Sequence, residues 1–165
     1  MHALTIRPAT PEDRPSLRRA IVELQEHERR LHDTRLPGEQ IADRYLDWML
    51  RRAEAAGVVL VAELDGVFAG FVAGWVEESE NVAETRDSNR VGLISDICVM
   101  PSFRGHRLAA RMIDAIEVHL RHAGVARLRV NALAANLTAR RSYEHAGFVP
   151  YEILYEKLIG ATSDD

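Results

Sequence analysis

The residues of this chain best placed to do chemistry run Val99-Met100-Pro101-Ser102-Phe103-Arg104-Gly105-His106-Arg107-Leu108-Ala109-Ala110: an apolar strand end, a turn with a glycine, and the start of an amphipathic helix. A helix that opens this way turns unpaired backbone N–H groups and the positive end of its dipole toward whatever lies above the strand end. Arg104 and Arg107 add guanidinium groups that match phosphate oxygens, so the ligand this turn suits is a phosphate or pyrophosphate. Taken alone, the same residues also read as an ordinary strand-to-helix turn with solvated arginines. Neither Gly-x4-Gly-Lys-Ser/Thr nor a Gly-x-Gly-x-x-Gly after a strand occurs, so a nucleotide triphosphatase or dinucleotide dehydrogenase is not indicated.

A second group lies downstream: Asn136, Ala139, Tyr143, Gly147 and Phe148. Asn136 can cap a helix, Tyr143 falls two turns later on the side of Asn136 and Ala139, and Gly147 ends that helix before Phe148. A phenol held there can protonate a leaving group. By itself it reads first as a half-buried structural tyrosine.

The elements that must position these groups follow from periodicity. Leu4 to Arg7 alternates as an edge strand, and Thr10-Pro11-Glu12-Asp13 opens a helix whose apolar stripe is Leu17, Ala20, Ile21, Leu24 and Leu31, down to His32. A second helix is expected over Glu39 to Ala56, with Ile41, Tyr45, Trp48 and Met49 on one stripe and Gly57 as its stop. Val58 to Leu64, Asp65-Gly66 and Val67 to Val76 form a hairpin, and Glu77 to Arg90 is a long acidic loop before a strand at Val91 to Met100. A helix from Gly105 to Ala123, a strand over Arg127 to Ala132, a helix from Asn136 to Ala146 and a last strand over Phe148 to Leu158 complete the order βααβββαβαβ. The early strands are antiparallel, and the later β-helix-β part builds parallel pairing, giving a mixed α/β or α+β domain.

Composition agrees with one packed domain: 165 residues, 47% hydrophobic and 28% charged, with a formal charge of −4. That balance argues against nucleic acid as the main ligand, and lone Cys98 can form neither an internal disulfide nor a cysteine-based metal cluster. No run approaches the roughly 20 apolar residues of a membrane span, so the sequence reads as cytoplasmic, with no membrane partner. The expected division is a single domain over residues 1–160 and a short acidic tail over 161–165.

This order of elements, with Val-x-Pro-x-x-Arg-Gly at Val99 to Gly105 and Asn-Ala-Tyr-Gly-Phe at Asn136 to Phe148, resembles the GCN5-related N-acetyltransferase family over nearly the whole chain. The resemblance implies a splayed mixed central sheet flanked by helices and an N-acetyltransferase that uses acetyl-CoA as acyl donor. It implies that backbone of Ile97, Cys98 and Val99 pairs with the pantetheine arm. Arg104, Gly105, His106, Arg107, Leu108, Ala109 and Ala110 would hold the pyrophosphate, with Asn136 as a further cofactor contact. Tyr143 would be the general acid for the coenzyme A thiolate.

Two positions depart from the family pattern. Arg107 stands where the phosphate turn usually carries its internal glycine, although Ala109 fits; either its side chain points away while its N–H still serves, or it substitutes a charged contact. Ser95 stands where some relatives carry a glutamate, leaving Asp96 as the candidate base, acting through water, against the alternative of a buried structural carboxylate. A glutamate elsewhere, or an amine arriving neutral, would also serve. Cys98 lacks a His/Asp arrangement and reads as packing rather than nucleophile. His27, His32, His106, His119 and His122 read as surface histidines, and no metal is expected.

The functional expectation is transfer of an acetyl group from acetyl-CoA to a primary amine by direct attack in a ternary complex. The alternatives are an acyl-CoA sensor or silent relative, motivated by Arg107 and Ser95, or use of a different acyl-CoA. The acceptor is an amine-bearing small molecule or a protein amino group. Glu77, Glu78, Glu80 and Glu84 form either a solvated loop or a surface favouring a cationic amine, and a homodimer is compatible with the sequence.

Overall fold

The computed structural model describes residues 3–160, so the expected acidic tail at 161–165 lies outside the described residues. The elements are β1 (Leu4–Pro8), a short 3-10 turn (Pro11–Asp13), α1 (Arg14–Arg29), α2 (Gly38–Ala56), β2 (Gly57–Leu64), β3 (Val67–Glu78), β4 (Arg90–Val99), a second 3-10 turn (Pro101–Phe103), α3 (Leu108–His122), β5 (Leu128–Val130) and α4 (Leu137–His145). The strands form one sheet in the order β1-β2-β3-β4-β5. Neighbours are antiparallel through β4, and β5 is parallel to β4, as expected for a strand reached through a helical crossover.

Alternation along the strands sends side chains to two cores, one on each face of the sheet. Leu17, Ala20 and Ile21 of α1 and Ala42, Leu46 and Met49 of α2 pack on Val59, Val61, Phe71, Ala73 and Trp75. On the other face Met112, Ile113, Ile116 and Leu120 of α3 pack on Leu60, Ala62, Val72 and Ile94. The β2–β3 hairpin turns through Asp65 (φ 52) and Gly66 (φ 78), both left-handed, as a two-residue turn matched to strand twist demands.

Gly57 ends α2 as expected, though with extended rather than left-handed backbone (φ −166), and it is glycine because a Cβ there would stand 2.0 Å from the Gly74 carbonyl oxygen. Three expectations need correction. The third helix starts at Leu108 rather than Gly105, since Gly105 (φ 87) and Arg107 (φ 56) are left-handed and belong to the turn. Phe148 to Leu158 forms no strand; among the described residues no backbone hydrogen bond joins 149–160 to the sheet. The acidic loop is shorter than expected, because Glu77 and Glu78 continue β3 in register with Val91 and Arg90.

Candidate active site

The site grows from two irregularities in β4. Ala73 pairs with Asp96 and Gly74 with Ile94, so Ser95 is an extra residue, a bulge. One inserted residue reverses which face every later side chain takes. Ile94 therefore packs on the α3 side, while Asp96 and Cys98 turn to the α1/α2 side. The second irregularity is the early end of β5, which pairs only with Gly92, Leu93 and Ile94. Beyond that point β4 keeps its β3 partner but, among the described residues, has no strand on its other side, so the backbone of Ile97, Cys98 and Val99 borders a gap. A main chain with unspent hydrogen-bonding groups at such a splay can pair with an extended amide-bearing ligand.

The turn after β4 lies at the end of that edge. The N-terminal residue of α3 makes no side-chain cap, and the first bond carried into the helix runs from the Arg111 N–H to the Arg107 carbonyl at 3.3 Å. The N–H groups of Leu108, Ala109 and Ala110 precede it and have no acceptor of their own in the helix. Gly105 faces open space: a Cβ built on it would meet nothing within 4 Å. Such a cradle fits a diphosphate. Arg107 does not close it, because its backbone adopts the left-handed conformation that a glycine would take, at a cost of about 1–2 kcal/mol for an L-residue. Arg104 reaches back to α1, donating to Glu23 Oε1 at 3.1 Å, and the His106 ring lies 3.1 Å from the Phe103 carbonyl.

After β5, Asn136 caps α4 as the sequence suggests: its Oδ1 accepts from the Ala139 N–H at 3.1 Å. Tyr143 packs at the margin of the α3-side core, edge-on to Phe148 with ring centroids 6.0 Å apart. Burial, with the negative charges of Glu28 and Asp96 adding to it, pushes its phenol up to about 12. At neutral pH the hydroxyl keeps its proton, which suits an acid and not a base.

Asp96 is buried, and both its oxygens are engaged: Tyr45 Oη donates to Oδ1 at 2.8 Å and Ser95 Oγ to Oδ2 at 2.7 Å. Desolvation raises its carboxyl above the ordinary range, while the Ser95 and Tyr45 hydroxyls pull it part of the way back. Tyr45 is itself raised well beyond a free phenol, by burial first and by the Asp96 charge next. Burial pushes the Cys98 thiol up to about 12, so it stays a neutral packing group in the α1/α2 core.

Sequence reasoning missed two participants. Tyr45 was legible only as one member of an apolar stripe, although a phenol on a buried helix face must find a partner. Glu28 carries no motif; α1 brings it, paired with Arg35 Nε at 2.8 Å, close enough to raise Asp96, Tyr45 and Tyr143 alike. Of the acidic candidates, Glu77 accepts from Trp75 Nε1 at 2.6 Å and also pairs with Arg52, and Glu78 pairs with Arg90 at 2.9 Å, so both are strand-end anchors.

An early end to β5 beside β4, an uncapped helix start after β4 and a buried phenol that keeps its proton are features that suit acyl transfer from a CoA thioester. Comparison with known proteins makes this specific. The family model described as "Acetyltransferase (GNAT) family" matches residues 19–148. An uncharacterized N-acetyltransferase of Archaeoglobus fulgidus is 33% identical over 142 residues, covering 85% of this chain and 89% of that one. A GCN5-related N-acetyltransferase from Ralstonia eutropha JMP134 superposes with a TM-score of 0.75 at 19% identity, over 96% of this chain and 100% of that one. The aminoglycoside N-acetyltransferase AAC(6')-Iy, solved in complex with CoA, does so with a TM-score of 0.69 at 19% identity, over 95% and 96%. This chain belongs to the GNAT acetyltransferase family and is an N-acetyltransferase, an acyltransferase acting on amines.

Proposed function

We propose that the acyl donor is acetyl-CoA and that a primary amine attacks its thioester directly, in a ternary complex without a covalent enzyme intermediate. One observation carries the reading: the uncapped amides of Leu108, Ala109 and Ala110 lie at the end of the unpaired β4 edge at Ile97, Cys98 and Val99. The turn Arg104 to Ala110 would hold the diphosphate, that edge the pantetheine amides, and the Asn136 NH2 a further polar contact. When bound, the thioester supplies the electrophilic carbonyl carbon and a thiolate leaving group.

The chain's own residues handle protons. Tyr143 Oη holds the proton destined for the departing sulfur, and its burial keeps that proton in place until a stronger base forms beside it. Asp96 takes up the proton the amine must lose. Buried beneath two hydroxyls, it acts through Tyr45 or Ser95, each of which can accept a proton on its oxygen while passing its own to the carboxylate. No helix among the described residues is long and apolar enough to cross a membrane.

Release of free thiol from acetyl-CoA over a panel of amines, read beside thermal stabilisation, tests this. Stabilisation together with turnover is expected. Stabilisation without turnover on any amine would leave an acyl-CoA-binding protein, and faster turnover with propionyl-CoA or succinyl-CoA would reassign the donor.

A further inference from the structure

The end of α1 and the connection to α2 carry a pair of opposite charges that the proton chemistry above does not use. Glu28 continues the core-facing stripe of α1, Leu17, Ile21 and Leu24, by one more turn, so a carboxylate stands where the periodicity calls for an apolar side chain. It is partly buried, with 28% of its side chain exposed. Its negative charge is felt by Asp96 on β4, Tyr45 on α2 and Tyr143 on α4, so it lies where those three elements come together. Earlier on the same helix, Glu23 accepts from Arg104 of the turn after β4 at 3.1 Å, which sets α1 alongside the candidate site.

The partner of Glu28 is Arg35, in the connection 30–37. Two ties fix that connection: Gln25 Nε2 donates to the Leu36 carbonyl at 2.9 Å, and the Gly38 N–H donates to Glu26 Oε1 at 2.6 Å. Arg35 is thereby folded back onto α1, where Nε donates to Glu28 Oε2 at 2.8 Å and Nη1 to Thr34 Oγ1 at 3.3 Å. An arginine whose work ends at a carboxylate commonly closes on it with two parallel bonds. Here there is one. Among the described residues, Glu28 Oε1 accepts no hydrogen bond and Arg35 Nη2 donates none. One carboxylate oxygen and two N–H donors are left on neighbouring groups, held in place before any ligand arrives.

A ligand that answers both groups carries an ammonium and a carboxylate close together. A bare amine would satisfy Glu28 while setting its positive charge beside an arginine, and a bare carboxylate would meet the reverse. We propose that the acceptor is an α-amino acid, its ammonium on Glu28 Oε1 and its carboxylate on Arg35 Nη2. This rests on the amine acetylation proposed above and names its substrate class. A protein amino terminus presents a peptide carbonyl where the carboxylate belongs, and a polyamine presents a second cation, so neither completes the arrangement. The protons of the ammonium are accounted for one by one. The first stays on the nitrogen, directed at Glu28. The second passes through the Tyr45 or Ser95 hydroxyl to Asp96, and the lone pair it leaves forms the bond to the thioester carbon. As the carbon–sulfur bond breaks, Tyr143 protonates the sulfur and regains a proton from the nitrogen, which sheds its third as the amide forms.

Two readouts on the full chain separate this proposal from the transfer reading beneath it: calorimetric titration of the coenzyme A-loaded enzyme, and thiol release from acetyl-CoA. Each is run with the common amino acids, their amides and the matching amines without a carboxylate, for example leucine, leucinamide and isopentylamine. For the acids it accepts, the enzyme should favour acid over amide and over amine at least about tenfold in kcat/KM. Arg35→Gln should abolish that preference through KM, with acetyl-CoA affinity unchanged, and Arg35→Lys, which keeps the charge, should retain part of it. Glu28→Gln should weaken acid, amide and amine alike. Amides or amines used as well as acids, no amino acid bound by the loaded enzyme, or an Arg35→Gln enzyme slowed on every acceptor by one factor would each overturn the proposal. A lowered Tm in Arg35→Gln at unaltered preference would also overturn it, since that is the mark of a purely structural pair. Amino acids that bind through Arg35 without releasing thiol would uphold the site and defeat the transfer reading instead.

Discussion

The Tyr45 hydroxyl on α2 donates to Oδ1 of Asp96 on β4 at 2.8 Å, joining residues 51 apart in the chain. The contact depends on Ser95. Without that extra residue, regular alternation would turn Asp96 toward α3, onto the apolar surface of Ile113 and Ile116, where its carboxylate would find no partner. The bulge thus does two jobs: it places a carboxylate beside a phenol, and it puts a hydroxyl on the carboxylate's second oxygen.

That arrangement has a pH signature. Asp96 must be ionised to accept a proton, and burial raises its carboxyl, so the acid limb of kcat/KM should lie above the range of a free aspartate. Tyr45→Phe removes a donor that favours the charged form. The limb should move to higher pH, with activity at neutral pH reduced. A limb that stays in place in Tyr45→Phe would take Asp96 out of the proton path.

Tyr143→Phe should lower kcat by about a hundredfold or more while leaving donor affinity nearly unchanged, since it removes a proton and little packing. Single-turnover thiol release beside calorimetric titration with acetyl-CoA separates the two effects. Unaltered turnover would exclude the phenol as acid.

Arg104→Ala should do the reverse. A guanidinium contact to phosphate is worth about 1.5–3 kcal/mol, so the KM for acetyl-CoA should rise at least tenfold or so, with kcat within about twofold. The Glu23 pair holding Arg104 in the free protein is solvent-exposed and costs little to break on binding. A wild-type KM would remove Arg104 from the cradle.

Arg107→Gly tests whether the backbone, and not the side chain, serves at that position. Arg107 is held at φ 56, so glycine should relieve about 1 kcal/mol and raise Tm by about 2–4 °C. Acetyl-CoA affinity should be retained. A large loss of affinity would show that the guanidinium itself carries the contact.

Far from the site, Arg7 clamps the start of α1 by donating to Asp13 Oδ2 at 2.7 Å and to Glu63 Oε1 at 2.5 Å. The Arg7 hydrogen bond, opposed by burial, holds the Asp13 carboxyl down at about 2, against an ordinary 3.8. Because the folded value is the lower one, this stabilisation is complete above about pH 4 and disappears as pH falls through about 2. Its size is about 2 kcal/mol, so Arg7→Gln should destabilise the protein by about that much at pH 7 and by far less at pH 2, measured from urea midpoints. An equal loss at both pH values would refute the linkage.

Much of this was encoded locally. The Asp65-Gly66 turn, the apolar stripes of α1, α2 and α3, the Asn136 cap and the glycine-bearing turn before α3 each rest on a few consecutive residues whose backbone preferences or periodicity act within one or two turns, so the sequence alone determined them. Strand register is different in kind. Which residue of β4 faces which helix is decided by pairing with β3, some twenty residues earlier, and the one-residue shift at Ser95 has no local sign. Only the packed structure brings Tyr45 and Glu28 to Asp96, and only burial in the fold raises the Tyr143 phenol from its ordinary range to about 12. The last strand marks the same boundary: alternation in 149–159 specifies an extended conformation, but a strand is completed by an edge to pair with, and that is a property of the assembled fold, not of the segment.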